Sequence, residues 1–174
     1  TQYLYPWRAK DGTEILVRPI RPEDEPMLVK FHETLSDRSV YFRYFHMIKL
    51  SQRIAHERLT RMCFIDYDRE MALVAECREE KCAEDRILGV GRLTKLHGTN
   101  EAEFAVVVSD SWQRQGIGTE LLTRLIEFAR NEKLSCIKAD ILLDNQEMVN
   151  LAKKLGFSIT PAEDPSMVTA SMDL

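Results

Sequence analysis

The stretch EAEFAVVVSDSWQRQGIG, Glu101–Gly118, combines a strand pattern with a loop that contains two glycines. Residues Glu101–Ser109 are rich in β-branched and aromatic side chains, which favour a strand. From Ile117 to Ala129, apolar residues recur at the spacing of one helix face. The stretch therefore predicts a strand, a short loop and the start of a helix, in that order.

The loop WQRQGIG, Trp112–Gly118, has the composition of an anion-binding site. The first N–H groups of a helix have no partner within the helix, and glycine lets the backbone approach a ligand closely. The helix dipole favours negative charge, and Arg114 adds a cation. A tight turn that needs glycine for its geometry alone explains the pattern equally well. From the residues alone, both interpretations stay open.

Two common phosphate-binding motifs do not match the sequence. No GxxxxGK[ST] segment is present, which excludes a P-loop. Gly116 and Gly118 are followed by Leu121 where a dinucleotide fingerprint needs its third glycine. Gly89 and Gly91 lie inside a predicted strand and also lack that third glycine. An anion bound at the loop would therefore be held by a different motif.

The remaining pattern predicts a single α/β domain. The predicted strands are Thr13–Ile20, Glu70–Cys77, Arg86–Leu96, Glu101–Ser109, Cys136–Leu143 and Ser166–Leu174. The predicted helices begin at Pro22, at Ser51 (Ser51–Met62), at Ile117, and after Asp144. In the last of these, Asp144 and Glu147 form a variant capping box, and Gly156 ends the helix. This order predicts an α/β sandwich around a mixed sheet. Residues 13–174 form the domain, and residues 1–12 are expected to be an extension or linker from a longer chain.

Composition narrows the class of protein. The chain has 174 residues, of which 44% are hydrophobic and 30% charged, as is usual for a globular protein. The net charge of −4 argues against a nucleic-acid partner, and no apolar run is long enough to enter a membrane. A cytoplasmic protein is therefore expected.

Cysteine and histidine spacing gives no sign of a metal site. The four cysteines (63, 77, 82 and 136) lack zinc-type CxxC spacing, and the four histidines (32, 46, 56 and 97) lack metal-ligand spacing. Cys77 and Cys82 are close enough in sequence to pair. In a cytoplasmic protein, however, free thiols are the expected state.

The motif Gln113-x-x-Gly116-x-Gly118 resembles the (Arg/Gln)-x-x-Gly-x-(Gly/Ala) signature of the GNAT acyl-CoA-dependent N-acyltransferases. The upstream strand EFAVVV and the downstream segment DNQEMVNLAKKLGF lie where that superfamily has its cofactor strand and closing helix. The segments RPIRPEDEP and DYDREMALVAE resemble the C-terminal domain of bacterial Pat-type protein lysine acetyltransferases. In that family the domain is often fused to an acyl-CoA-synthetase-like region, which fits a chain that begins at Thr1. The resemblance covers about residues 13–174.

This resemblance implies a mixed, mostly antiparallel central sheet flanked by helices, and acetyl-CoA as cosubstrate without a metal. It implies that the loop backbone holds the CoA pyrophosphate and that the end of the preceding strand holds the pantetheine arm. The implied cofactor-binding residues are Val106, Val107, Val108, Gln113, Arg114, Gln115, Gly116, Ile117, Gly118, Thr119 and Asn145. For Asn145, a role that is limited to capping the last helix stays open.

Transfer to an amine needs a neutral nucleophile, whereas a lysine with a pKa of about 10.4 is almost entirely protonated at pH 7. A positioned carboxylate can remove that proton. Glu101 and Glu103 are the candidates, because the alternation of a strand puts both on one face. The resemblance favours Glu103, which lies where many family members carry the base, and Glu101 is the alternative. Either could instead be a solvated strand residue. Many GNAT enzymes carry a general-acid tyrosine at the position of Ala152, which puts that part of the mechanism in doubt.

The resemblance implies a protein lysine as acceptor, such as one on an acyl-CoA synthetase. A small-amine or N-terminal acetyltransferase and a non-catalytic acyl-CoA-sensing domain are the alternatives. The aromatic residues Tyr41, Phe42, Tyr44 and Phe45 are more typical of a core than of an acceptor groove. The acidic stretches 23–25 and 79–85 are predicted to be solvated, where they could attract a lysine-bearing substrate.

Overall fold

The computed structural model describes residues 3–82 and 86–174. Within these residues, one eight-stranded sheet has the order β1-β2-β3-β4-β5-β6-β8-β7. The strands are β1 Tyr5–Arg8, β2 Glu14–Pro19, β3 Glu70–Cys77, β4 Ile87–Lys95, β5 Glu101–Val108, β6 Cys136–Leu142, β7 Ser158–Pro161 and β8 Met167–Asp173. The helices are α1 Glu25–Glu33, α2 Asp37–Tyr44, α3 Leu50–Arg53, α4 His56–Cys63, α5 Ile117–Asn131 and α6 Gln146–Lys154. None of the helices in these residues has the length and apolar character needed to cross a membrane.

The sheet is antiparallel except between β5 and β6, which run parallel. This confirms the predicted mixed, mostly antiparallel sheet flanked by helices. The parallel pairing covers only Glu101–Glu103 against Cys136–Lys138. Both strands continue beyond that point, β5 to Val108 and β6 to Leu142. The two strands therefore separate after Glu103, which leaves a cleft in the middle of the sheet.

The two faces of the sheet bury different cores. On one face, α5 packs against β3, β4 and β5. Gly89 permits this approach, since a Cβ atom there would lie 3.0 Å from Ile117 Cγ2. On the other face, helices α1, α2 and α4 enclose a second core that includes Phe31, Val40 and Leu59. The helices therefore lie on both sides of the sheet.

The structure corrects several predicted elements. Strands β1 and β7 were not predicted, and β1 lies within residues 1–12, where it pairs with β2. The predicted helix Ser51–Met62 is two helices, because the backbone of Ala55 has a ψ of 132° and interrupts the helical path. Its first part begins after Lys49, so Ser51 is not the cap. The last helix is capped by Asn145 rather than by an Asp144 box.

The cysteines also differ from the prediction. Cys77 and Cys82 form a disulfide, where free thiols were expected. The short turn after β3 brings Cys82 back beside the end of the strand, with 6.3 Å between the two Cα atoms. Cys63 and Cys136 are free and buried. Burial raises the pKa of the Cys63 thiol to about 11.

A buried ion cluster connects β2, β3 and the turn before α1. Both terminal nitrogens of Arg18 donate to the carboxylate of Asp24 at 2.8 Å, and Arg18 Nε donates to Glu76 at 3.2 Å. Asp24 also accepts the backbone N–H of Arg21. Asp24 is fully buried, so the prediction of a solvated stretch 23–25 is wrong at this position. Part of stretch 79–85 lies outside the described residues.

Substitution of Arg18 tests the contribution of this cluster. Arg18→Met leaves Asp24 buried without its partner and is expected to lower the free energy of unfolding by about 3–5 kcal/mol. Arg8→Met removes an exposed ion pair with Glu14 and is the matched control, with an expected loss below about 1 kcal/mol. Urea unfolding measures both, and equal losses would contradict the assigned role of burial.

His32 on α1 is buried beside cations. Its Nδ1 atom has no hydrogen-bond partner among the described residues. Burial, followed by the charges of Arg53, Arg58 and Arg43, lowers the pKa of His32 to about 4. An unfolded histidine has a pKa of about 6.5, so between these two values the unfolded chain binds a proton that the folded chain does not.

Stability is therefore expected to fall as the pH drops from about 6.5 to about 4, by up to about 3 kcal/mol from this residue. His32→Leu should remove that part of the dependence because the variant has no imidazole to protonate. Chemical unfolding of both proteins at pH 7.5 and pH 4 measures the difference. An identical loss in both proteins would assign the acid sensitivity to other groups.

Candidate active site

The cleft between β5 and β6 brings together elements that are separate in the sequence. Half-buried Val106 and Val108 lie on the face that carries α5, while Val107 packs against the second core. A Cβ atom on Gly118 would lie 3.3 Å from Leu151 Cδ1 and 3.7 Å from Val108 Cγ2. Glycine at this position therefore allows β5, α5 and α6 to meet at one point.

The loop before α5 presents unused backbone donors. Arg114 has a φ of 67° and Gly116 a φ of 89°, so both adopt left-handed conformations. Within residues 3–82 and 86–174, the N–H groups of Arg114, Gln115 and Gly116 donate to no protein acceptor, and no side chain caps α5. The first N–H groups of α5 likewise have no partner within the helix. This is the arrangement that binds a phosphate.

Polar side chains hold the loop from inside the protein. The amide nitrogen of Gln113 donates to Val108 O at 3.1 Å and to Ser39 Oγ at 3.3 Å. Asp110 accepts the Ser36 N–H at 2.9 Å and the Ser39 hydroxyl at 3.0 Å. The side chain of Gln113 therefore positions the loop against β5 and α2, and its backbone N–H donates to Asp110 O at 3.4 Å, so the unused backbone donors of the loop begin at Arg114.

The hairpin of β1 and β2 also supports the loop. Lys10 N–H donates to Gln115 O, and Asp11 N–H donates to Gln115 Oε1, each at 3.1 Å. A Cβ atom on Gly116 would lie 3.3 Å from the ring of Trp7. These supporting residues carry no signal in the sequence, because nothing in their local pattern indicates a contact about a hundred positions away.

The other predicted loop residues have distinct surroundings. The side chain of Ile117 is buried in the main core, so only its backbone can reach a ligand. Half-buried Thr119 accepts the Thr123 hydroxyl with its carbonyl group. Arg114 forms an exposed ion pair with Glu147 at 3.0 Å, a contact that contributes at most about 1 kcal/mol. An incoming phosphate can displace Glu147 at little cost.

Asn145 is the cap of α6. Its side-chain oxygen accepts the Met148 N–H at 3.3 Å, and its own N–H donates to Leu142 O. Its capping role is thus observed, and the amide NH₂ group is not used for it. Ala152, the position of the expected general acid, is fully buried in the main core. Its methyl group has no proton to donate.

The two glutamates on β5 differ in their partners. Glu101 accepts a hydrogen bond from Lys138 Nζ at 3.0 Å. This contact, more than any other effect, raises the pKa of Lys138. Glu103 is exposed and has no ion-pair or hydrogen-bond partner for its carboxylate among the described residues. Glu103 is also the last β5 residue paired with β6, so its carboxylate lies where the cleft begins.

Helix α2 carries the predicted aromatic run beside β5. Tyr41 and Phe45 are 42% and 40% exposed, so the prediction that they belong to a core is wrong for these two. Phe42 and Tyr44 are half-buried and contact arginine side chains. In the part of the chain that the structure describes, no group of three or more histidine, cysteine or acidic side chains could hold a metal ion.

Comparison with known proteins identifies the family. Residues 14–158 match the model of the acetyltransferase (GNAT) domain. An acetyltransferase of Pseudomonas aeruginosa is 31% identical over 147 residues, which are 84% of this chain and 76% of the relative. Acetyltransferase Pat of Mycolicibacterium smegmatis is 25% identical over 97% of this chain, which spans 48% of that relative.

A solved structure has the same fold. The GNAT domain of S. lividans Pat superposes with a TM-score of 0.87 at 24% identity, covering 98% of this chain and 97% of that domain. The family match covers most of the chain and includes both the loop and the strand that line the cleft. The chain therefore belongs to the GNAT family of acetyl-CoA-dependent N-acetyltransferases.

Proposed function

We propose that this domain acetylates the lysine side chain of a protein, by direct attack of the amine on acetyl-CoA in a ternary complex, with Glu103 as general base. The observation that carries the proposal is the unpaired Glu103 carboxylate at the point where β5 and β6 separate. Similarity to Pat proteins supports a protein acceptor, for which an acyl-CoA synthetase is our first candidate. The proposal includes the cytoplasmic location expected from the sequence.

The chain offers each part of CoA a matching surface. The free N–H groups of residues 114–116 and the first turn of α5 suit the pyrophosphate, and Arg114 can add its charge once it leaves Glu147. Beyond Glu103, the edge of β5 has no partner strand, so the main chain near Val106 and Val108 can pair with the amides of pantetheine. The unused amide NH₂ group of Asn145 is available for a further contact.

Glu103 suits the role of base better than Glu101. A carboxylate held in an ion pair must break that contact before it can accept a proton, and Glu101 is held by Lys138. Glu103 can take the proton from the lysine ammonium directly or through one water. The neutral amine then attacks the thioester carbonyl carbon, a C–N bond forms, the C–S bond breaks to release CoA as a thiolate, and the attacking nitrogen gives its remaining excess proton to water.

The leaving group needs little help from the protein. A thiol has a pKa of about 8.5, so its thiolate is a tolerable leaving group near pH 7. Ala152 places a methyl group where a general acid was expected, and we infer that water protonates the thiolate. A tyrosine at this position is therefore not required for turnover.

Incubation with acetyl-CoA and candidate acceptors tests the acceptor class. The purified domain is mixed with acetyl-CoA and either an acyl-CoA synthetase or a set of polyamines, and products are identified by mass spectrometry. Acetyl-lysine on the protein with no acetylated polyamine is the expected result. If only polyamines are acetylated, the acceptor is a small amine and not a protein lysine.

Glu103→Gln is expected to lower kcat at least about a hundredfold, since general-base catalysis contributes about 10²–10⁴-fold. Acetyl-CoA affinity should change little, because the carboxylate is assigned to the amine. Steady-state kinetics and calorimetry measure the two quantities. Glu101→Gln is the matched variant on the same strand and should lose much less activity. A larger loss of activity in Glu101→Gln than in Glu103→Gln would assign the general base to Glu101.

Gly116→Val is expected to weaken acetyl-CoA binding at least about tenfold, since the loss of one charge-assisted hydrogen bond costs about 1.5–3 kcal/mol. A branched side chain at a φ of 89° strains the loop and meets Trp7, which shifts the donor N–H groups. Gly98→Val is the control, because Gly98 has a φ of 73° but nothing within 4 Å of its Cβ position. Calorimetry of both variants separates the effect of a displaced loop from the general effect of backbone strain. Equal acetyl-CoA affinities of the two variants would reject the anion site.

A further inference from the structure

Two arginines near the active site share one aromatic ring. The guanidinium carbon of Arg43 lies 4.7 Å from the centroid of the Tyr44 ring, and that of Arg58 lies 5.1 Å from it. Arg43 and Tyr44 end α2, and Arg58 is on α4. Two positive charges are therefore held close together between these helices.

These arginines have no acidic partner in the described residues. Neither Arg43 nor Arg58 forms an ion pair there, and Arg58 Nε is buried without a hydrogen-bond partner. Burial, together with the charges of Arg92 and Arg58, lowers the pKa of Arg43. Arg53 nearby donates to the carbonyl groups of Ile48 and His32 rather than to a carboxylate. Both Arg43 and Arg58 are half-buried, and neighbouring like charges without a counterion repel each other, a cost that a bound anion would reduce.

Arg58 also lines an open groove of about 430 Å³. We call this the basic groove, and its main lining residues are His46, Met47, Ile48, Gln52, Arg58 and Arg61. It contains one carboxylate, Glu57, against the two arginines. Exposed Met47 is part of its wall, and methionine is enriched in protein interfaces.

The basic groove is connected to the active site through α2 and β4. Helix α2 packs against β5, the strand that carries Glu103. On β4, Arg92 lies opposite Ala105 and Thr94 lies opposite Glu103, so Arg92 and Glu103 are diagonal neighbours on one face. Such neighbours are about 7–8 Å apart. Arg92 pairs with Glu70 at 3.3 Å and its charge also acts on Arg43, so a row of arginines links the surroundings of Glu103 to Arg58 in the groove.

We propose that the basic groove binds a carboxylate side chain of the acceptor polypeptide, so that the enzyme selects lysines that have a glutamate or aspartate nearby. This inference rests on the proposed protein acceptor and adds a sequence preference to it. The planar guanidinium of Arg58 lines the groove, and its two terminal nitrogens can donate two parallel hydrogen bonds to one carboxylate. Arg61 adds charge at the exposed side of the groove.

Paired peptides test this preference. Each peptide carries one lysine, with glutamate placed two to six residues away on either side, and its partner has glutamine at the same place. For the best pair, wild-type kcat/KM is expected to be about tenfold higher with glutamate, as one charge-assisted hydrogen bond predicts. Arg58→Gln and the exposed Arg61→Gln should bring this ratio towards one. Arg130→Gln, at an exposed position near the end of α5, is the control and should keep it.

A binding measurement separates this inference from the proposed function. The same peptides are prepared with acetyl-lysine and a fluorophore, and their affinity is measured by anisotropy in the presence of CoA. Preferential binding of the glutamate peptides that Arg58→Gln abolishes would support the groove even if no peptide is acetylated, in which case the protein acceptor would be rejected. The proposed carboxylate site in the groove would be contradicted by either of two results. One is equal affinity for both members of every peptide pair, and the other is a preference for glutamate that both arginine variants retain.

Discussion

The structure depends on one constraint, the short parallel pairing of β5 and β6. Only Glu101–Glu103 pair with β6, after which the strands separate while both stay anchored by their outer neighbours, β4 and β8. A sheet normally satisfies every inner backbone group through its neighbours. Here the unpaired edge of β5 is left for a ligand, and the cofactor can occupy the place of the missing partner strand.

The position of this separation also determines where the chemistry can occur. The cleft opens beside the free carboxylate of Glu103, and the loop before α5 lies at the other end of β5. A cofactor whose pyrophosphate binds at the loop and whose arm follows β5 therefore directs its thioester towards Glu103. The helices α1, α2 and α4 pack on the same face of the sheet that carries Glu103.

Charge is distributed unevenly around this site. The chain as a whole has a net charge of −4, which indicates nothing about a basic surface. Folding nevertheless gathers Arg43, Arg58 and Arg92 on the face of the sheet that carries Glu103, where Glu70 pairs with Arg92, while the acids Asp24 and Glu76 pair with Arg18 in the interior. The stretch 23–25 that suggested a solvated acidic face is thus internal at Asp24, and two of these three cations, Arg43 and Arg58, come from helices whose pattern suggested no site.

Local patterns in the sequence determined most elements of the fold and the position of the glycine loop, because strand and helix periodicity and the glycines of residues 112–118 act over a few residues. They predicted β3, β4, β5, β6 and α5 closely, and both candidate glutamates. Only the tertiary structure decided that Lys138 holds Glu101 and leaves Glu103 free, that β1 supports the loop through Lys10 and Asp11, and that Asn145 rather than Asp144 caps α6. Contacts between distant segments depend on strand register and on packing, for which a single sequence carries no local signal.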